Sequence, residues 1–209
     1  ARRVRELGGE VREGVEVRAL RVERGAVVGV DTADGTQSAR EVLVALGPWS
    51  ANFLAPHGIR VPVQPGKGYS QTYAPPALKP NMPLVLREHS VCVTAWEDGF
   101  RLGSTMEFSG YDESLNATRL AALERGASDY LREPVGPQLR ERWYGWRPMT
   151  YDDLPVLGAA PKLQRLWLAA GHGMMGMGMS AVTGEMLAQL ITGREAALDP
   201  APYAAARFG

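Results

Sequence analysis

Apolar and polar positions change period several times along this chain, and each change marks an element. Residues 1–7 (ARRVREL) read as a basic, solvated helix face that ends at Gly8-Gly9. "VEVRALRVE" from Val15 alternates with period two, so Val15 and Val17 read as strand core. "AVVGVDTADG" reads as a strand and a turn, and "EVLVAL" as a short buried strand running into "GPWS". A short helical segment, residues 50–58, follows. From Val61 the pattern is extended ("VPVQPGKGYSQTY") and then breaks in a proline-rich loop. "PLVLREH", "VCVTAWEDG" and "FRLGSTME" predict antiparallel strands, with a hairpin at Glu97-Asp98-Gly99. Residues 116–134 predict an amphipathic helix, with Asn116 as N-cap and Leu120, Leu123, Ala127 and Leu131 on one face. "ERWYGWRPMT" predicts a strand, and "YDDLPVLGAAPKLQ" a loop. Residues 166–170 predict a buried strand, and residues 177–191 a helix closed by Gly193. The tail from Arg194 has no periodicity, and no internal repeat is visible. The opening reads as mid-domain, so a C-terminal portion of a longer protein is expected.

Composition narrows the class without choosing a function. The 209 residues are 45% hydrophobic and 22% charged, with net charge +0, as in an ordinary soluble globular protein. A balanced charge gives no electrostatic argument for nucleic acid. The single cysteine, Cys92, excludes an internal disulfide, fits a reducing compartment and reads as a small buried apolar residue. No apolar run approaches the roughly 18 residues of a membrane span, and no signal-peptide pattern is present.

One stretch carries chemistry. "AAGHGMMGMGMS" contains Gly171, Gly173 and Gly176 in the spacing G-x-G-x-x-G between a strand and a helix. A dinucleotide fingerprint also requires a second strand with an acidic residue about 20 positions on. Here Glu195 and Asp199 follow no apolar run, so the pyrophosphate reading fails on context. What remains is a glycine loop at a helix N-terminus. Such a loop either brings an electron-rich group to unpaired backbone amides or simply packs closely.

With these residues in view, "GWRPMTYDDLPVLG", the following strand, "GHGMMGMGMS" and the terminal helix together resemble the C-terminal signature of the D-amino-acid oxidase superfamily of flavoproteins. Within it they resemble the D-amino-acid dehydrogenase small-subunit branch. "VPVQPGKGYSQTY", "EVLVALGPWS" and "GVEVRALRVERGAVVGVDTADG" resemble its entry to the substrate domain, its Gly-x-Trp-Ser turn and its adenine-side meander. Pro48 and Tyr151 depart from the usual pattern, which has Ala and Pro there. The fold the resemblance implies is α/β (α+β): part of an FAD-binding Rossmann-like domain plus an antiparallel-sheet substrate domain with flanking helices. Residues 1–58 and 148–209 would belong to the former and 59–147 to the latter.

The resemblance implies FAD as cofactor and oxidation of the Cα–N bond of an amino acid, D-configured, to keto acid and ammonia. The electron acceptor would be a quinone or respiratory chain, with peripheral association at the inner face of the plasma membrane, or oxygen. Arg147 would clamp the substrate carboxylate, a task that suits a planar guanidinium fork. Tyr69 and Tyr144, with Tyr73 and Tyr111 as further candidates, would line the pocket. Val17, Gly47, Trp49, Gly171, His172, Gly173, Met174, Met175, Gly176 and Met177 would meet the cofactor. Trp49 otherwise reads as a buried aromatic, and the methionines as helix-start packing. Asp152 and Asp153 point opposite ways in an extended segment and read as loop polarity. No metal set and no Ser–His–Asp arrangement is expected. A glycine or secondary-amine oxidase, or a non-catalytic binding domain, stays open beside this reading.

Overall fold

The computed structural model describes residues 1–208. The chain opens with α1 (Arg2–Glu6) and the strands β1 (Val17–Glu23), β2 (Ala26–Thr32), β3 (Gly35–Ser38) and β4 (Val42–Val44), followed by α2 (Ser50–Leu54). Next come β5 (Gln64–Tyr73), β6 (Leu84–Leu86), β7 (Val91–Ala95), β8 (Phe100–Glu107), α3 (Ala117–Ser128) and β9 (Leu139–Met149). The last elements are β10 (Val156–Ala159), β11 (Leu166–Ala170) and α4 (Gly176–Ile191), with two short 3-10 turns in the tail. The chain is mixed α/β and divides into two compact units. Their breaks fall at Pro62/Val63 and Asp153/Leu154, and Gly171–Met175 groups with the second unit.

The first unit holds the meander β1-β2-β3 and a small sheet ordered β10-β11-β4. β11 runs parallel to β4 and antiparallel to β10. Two strands here were not legible in the sequence. β10 lies inside the segment read as a loop, because prolines, glycine and aspartates flank a run of only four residues that pairs Val156 with Ala170. β3 is polar (GTQS) and is held by its ladder to β2. α4 packs Met186 and Leu187 against Leu157. Gly193 closes it in the left-handed conformation (φ 69°), with Arg194 N–H bonding Gln189 O.

The second unit is an antiparallel five-stranded sheet ordered β6-β7-β8-β5-β9, with α3 covering one face. Period-two alternation sends Tyr69, Tyr73, Val91, Val93, Phe100 and Leu102 inward to meet Leu120, Leu123 and Ala127 of α3. Asn116 caps α3 as expected, accepting from Thr118 N–H and Arg119 N–H at 3.0 and 3.3 Å. The helix ends at Ser128, six residues short of the expected 134. Cys92 is exposed, contrary to expectation. Its neighbours Val91 and Val93 take the inward positions, so alternation turns Cys92 outward.

Lys67 of β5 is fully buried. Its ammonium donates to Asp112 Oδ2 at 2.8 Å and to the Ser114 carbonyl, and lies 4.8 Å from the Tyr144 ring centre. Burial pulls the ammonium pKa down, but Asp112 and Tyr69 outweigh that and hold it above its ordinary value. In return Lys67, with help from Ser114, lowers the Asp112 carboxyl to about 2. A carboxyl depressed on folding stabilises above its unfolded pKa of 3.8, and that stabilisation is lost as pH falls toward 2. Urea unfolding of wild type and Asp112→Asn should therefore differ at pH 6, and the difference should shrink below pH 4 and close only as pH falls toward 2. A difference constant across that range would show that Asp112 does not act through its charge.

Candidate functional site

β9 and β5 pair in unbroken register from Gln64/Met149 to Thr72/Glu141, with Gly66 opposite Arg147, Gly68 opposite Gly145, Tyr69 opposite Tyr144 and Ser70 opposite Trp143. Directly paired residues share a face. Gly66, Gly68, Ser70, Trp143, Gly145, Arg147 and Met149 therefore lie on one face, and Lys67, Tyr69, Gln71, Tyr144 and Trp146 on the α3 face. This corrects the grouping of Arg147 with Tyr69 and Tyr144. Residues three apart in a strand point opposite ways, and Tyr144 and Arg147 are three apart. Tyr69 is buried and donates to Glu107 Oε2 at 2.9 Å. Tyr144 and Tyr111 each pack edge-on against Trp146. Tyr73 is buried on the α3 face too.

The Arg147 face is cleared by glycines. A Cβ on Gly68 would stand 2.0 Å from Arg147 Nη1 and 2.5 Å from Cζ, so the guanidinium occupies the space that a side chain there would take. A Cβ on Gly66 would strike Met149, and one on Gly145 the Trp143 ring. Arg147 Nη1 donates to the Thr105 carbonyl at 3.2 Å. That carbonyl is turned by a bulge in β8, where Ser104 and Thr105 take positive φ (111° and 52°), a strained geometry of the kind functional sites retain. Among the described residues no carboxylate forms an ion pair with Arg147. Burial is the main influence on its pKa and lowers it, with Cys92 a smaller opposing influence. The guanidinium is thus partly desolvated, held by one neutral acceptor, and its remaining donors are uncommitted to any carboxylate.

Sequence reasoning missed Gly66, Gly68, Gly145 and Trp143. The signal was available: two glycines two apart in a strand ("PGKGY") clear one face. Gly68→Ala should push the guanidinium off its seat while leaving the fold intact, because the atoms it meets end a flexible side chain. If the full-length protein oxidises the amino acid that the resemblance implies, its KM should rise about tenfold, ~1.4 kcal/mol, with an unchanged melting temperature. Steady-state kinetics and thermal melts together check this, and an unchanged KM would remove Gly68 from the site.

The loop Gly171–Met175 belongs to the same unit. Gly171 (φ 76°) and Gly173 (φ 54°) adopt the left-handed conformation that favours glycine. Gly173 N–H donates to the Pro148 carbonyl at 2.9 Å, tying the loop to the strand that carries Arg147. Met175 N–H bonds His172 O at 2.9 Å. Burial lowers the pKa of His172, which favours the neutral imidazole. Met174 and Met175 are exposed and so are not packing a core.

The remaining expected cofactor residues lie in the first unit. Gly176 and Met177 begin α4, whose first turn carries no acidic side chain, so its positive end is unopposed. Met177 is 90% exposed. Gly47 (φ 53°) and Trp49 form the turn beyond β4, at the carboxyl end of the parallel pair β4–β11, where open α/β sheets bind ligands. Trp49 is 52% exposed rather than the buried aromatic of the alternative reading. Val17 stands at the exposed start of β1.

One unit holds the small parallel pair and α4, and the other holds the antiparallel sheet, the Gly171–Met175 loop and an arginine that pairs with no described carboxylate. L-proline dehydrogenase from P. horikoshii superposes with TM-score 0.86 at 23% identity, over 100% of this chain and 57% of that one, a likeness of fold. Glycine oxidase from Geobacillus kaustophilus superposes with TM-score 0.76 at 28% identity, over 94% and 53%. The family model "DAO: FAD dependent oxidoreductase" matches residues 1–190, and the chain belongs to that family. It is 37% identical to a D-amino acid dehydrogenase of Allorhizobium ampelinum over 93% of this chain and 46% of the relative. It is 33% identical to a glycine oxidase of Pseudomonas putida over 93% and 53%. The chain spans about half the length of the curated relatives it matches.

Proposed function

We propose that the protein to which this chain belongs is an FAD-dependent dehydrogenase that oxidises the Cα–N bond of amino acids, D-amino acids foremost. The observation that carries this reading is Arg147, a partly desolvated guanidinium on a glycine-cleared face with no carboxylate partner among the described residues. A bidentate pair with a substrate α-carboxylate supplies what the fold withholds. The sequence similarity to D-amino acid dehydrogenases supports the substrate class.

The donor set suits FAD. In the second unit Gly171 and Gly173 offer backbone dipoles to an electron-rich ring edge, and Met174 and Met175 offer adaptable apolar surface; in the first unit the N-terminus of α4 and Met177 are candidate contacts of the same kinds. Gly47 and Trp49, with Val17 on the adenine side, are the further candidate contacts. When bound, FAD supplies the two-electron acceptor for the hydride that leaves Cα. Arg147 fixes the carboxylate and therefore the direction of the Cα–H bond, so positioning contributes much of the rate. As the hydride leaves, the amine lone pair forms the C=N bond of an imino acid. Water then adds and releases keto acid and ammonia. No side chain need form a covalent intermediate.

Electrons would pass to a quinone or respiratory chain, with the protein peripheral to the membrane. No helix among the described residues is long and apolar enough to cross one. A second reading, a glycine or secondary-amine oxidase using oxygen, is favoured by the similarity to glycine oxidases. The test is to assay the full-length flavoprotein with D-amino acids, their L-enantiomers, glycine and sarcosine, against a quinone analogue and against oxygen. Keto acid from D-alanine with the quinone analogue is the expected result. Turnover of glycine or sarcosine with oxygen, and none of D-alanine, would establish the second reading.

A further inference from the structure

The α3 face of the second unit holds a cavity of about 280 Å3 that the Arg147 site does not use. It is lined by Gln71, Glu124 and Arg142 together with the apolar Leu115, Leu120 and Ala121. Gln71 and Arg142 are directly paired across β5 and β9, and Leu120, Ala121 and Glu124 come from neighbouring turns of α3.

Three polar groups around this cavity are uncommitted. Gln71 is 1% exposed, and its Nε2 donates to Tyr73 Oη at 2.6 Å and to Glu124 Oε1 at 2.5 Å. Tyr73 donates to the same Glu124 oxygen at 2.9 Å, and burial and Glu124 push the phenol pKa up, so it stays a donor. A carboxylate can only accept, so the amide nitrogen must face Glu124 and cannot be exchanged with the oxygen. Gln71 Oε1 is left buried with no hydrogen-bond partner. Glu124 Oε2 accepts no hydrogen bond from the described residues, and Arg142 forms no ion pair with any described carboxylate. Glu124 and Arg142 carry opposite charges toward one small cavity, yet lie too far apart to pair with each other. Gln71 is fixed by two bonds with its acceptor unused, an arrangement a folded protein rarely leaves unsatisfied.

We propose that this cavity is a second binding site, for a small zwitterion of the aliphatic amino-acid class. The ligand ammonium would donate to Glu124 Oε2, whose carboxylate Gln71 and Tyr73 hold in place, its carboxylate would meet Arg142, and its side chain would lie on Leu115, Leu120 and Ala121. The volume lies at the lower edge of small-molecule sites, roughly 300 Å3 upward, which limits the ligand to about the size of leucine. The inference rests on the α3 face and is independent of the role given to Arg147.

The experiment is calorimetric titration of the FAD-loaded full-length protein carrying Arg147→Ala, which removes the other carboxylate clamp. D- and L-leucine are the probes, with isovalerate and isoamylamine as single-charge analogues. We expect one saturable site for a leucine enantiomer, binding at least tenfold weaker after a further Arg142→Ala and at least tenfold weaker for each analogue. Arg142 is exposed, so its removal spares the fold, and a thermal melt confirms it. Absence of saturable leucine binding, affinity unchanged by Arg142→Ala, or an analogue binding as well as leucine would each overturn the proposal.

Discussion

Arg147→Lys in the full-length enzyme is expected to lower kcat/KM toward D-amino acids by about 30- to 1000-fold, ~2–4 kcal/mol, with FAD affinity unchanged. Lysine keeps the positive charge, so a site needing only a cation would tolerate it. The geometry calls for more. The Arg147 guanidinium fills the space that Gly68 leaves open and already gives one Nη1 hydrogen bond to the Thr105 carbonyl. The planar fork still has parallel donors for a carboxylate, whereas an ammonium is a single point without that fork. The desolvation that lowers the Arg147 pKa also raises the strength of any charge pair made there. Steady-state kinetics with a dye acceptor, beside flavin titration, measure both quantities. Unchanged kcat/KM would remove Arg147 as the carboxylate clamp and leave the fold relationship untouched.

Gly173→Val should act on the cofactor rather than the substrate. At φ 54° a β-branched residue is strained, by about 1–3 kcal/mol. A Cβ itself would meet only Met149, at an ordinary 3.6 Å, so the damage comes from backbone conformation. A relaxed loop would lose the bond from Gly173 N–H to Pro148 O and move its amides. FAD should bind about tenfold to a hundredfold more weakly. The flavin midpoint potential should fall, because fewer positive dipoles then stabilise the reduced ring. Gly193→Ala is the control. Its φ of 69° makes it costly by roughly 1 kcal/mol, but it lies at the far end of α4 and should leave the potential unmoved. Equal potentials and FAD dissociation constants in wild type and Gly173→Val would mean that the loop only packs.

The backbone around the candidate site was legible because its signals are local. Pro148 after Arg147 marked an extended segment, and the glycine spacing marked a loop before a helix. Both readings needed only neighbouring residues. The partition of side chains between the two sheet faces was also encoded, since it is parity along a strand. It became decisive only once the β5–β9 register was known. Tyr69 and Tyr144 attracted attention as aromatic residue types, while Gly68, which has no side chain to notice, makes the room for the guanidinium. Lys67 gave no sign of burial, because its partners, Asp112 and Ser114, lie 45 and 47 residues away.

The sequence by itself determined the elements whose causes are short-ranged: the alternating strands of the second unit, the Asn116 cap, the Gly193 stop and the glycine loop. These follow from the backbone preferences and side-chain periods of adjacent residues. Tertiary structure alone decided the polar strand β3, the four-residue strand β10, the exposure of Cys92 and the burial of Lys67. It also decided that Arg147 has no carboxylate partner among the described residues while Gln71, Glu124 and Arg142 line a separate cavity. Each of these depends on which strand lies alongside and in what register, and pairing between segments distant in sequence leaves no mark on either segment alone.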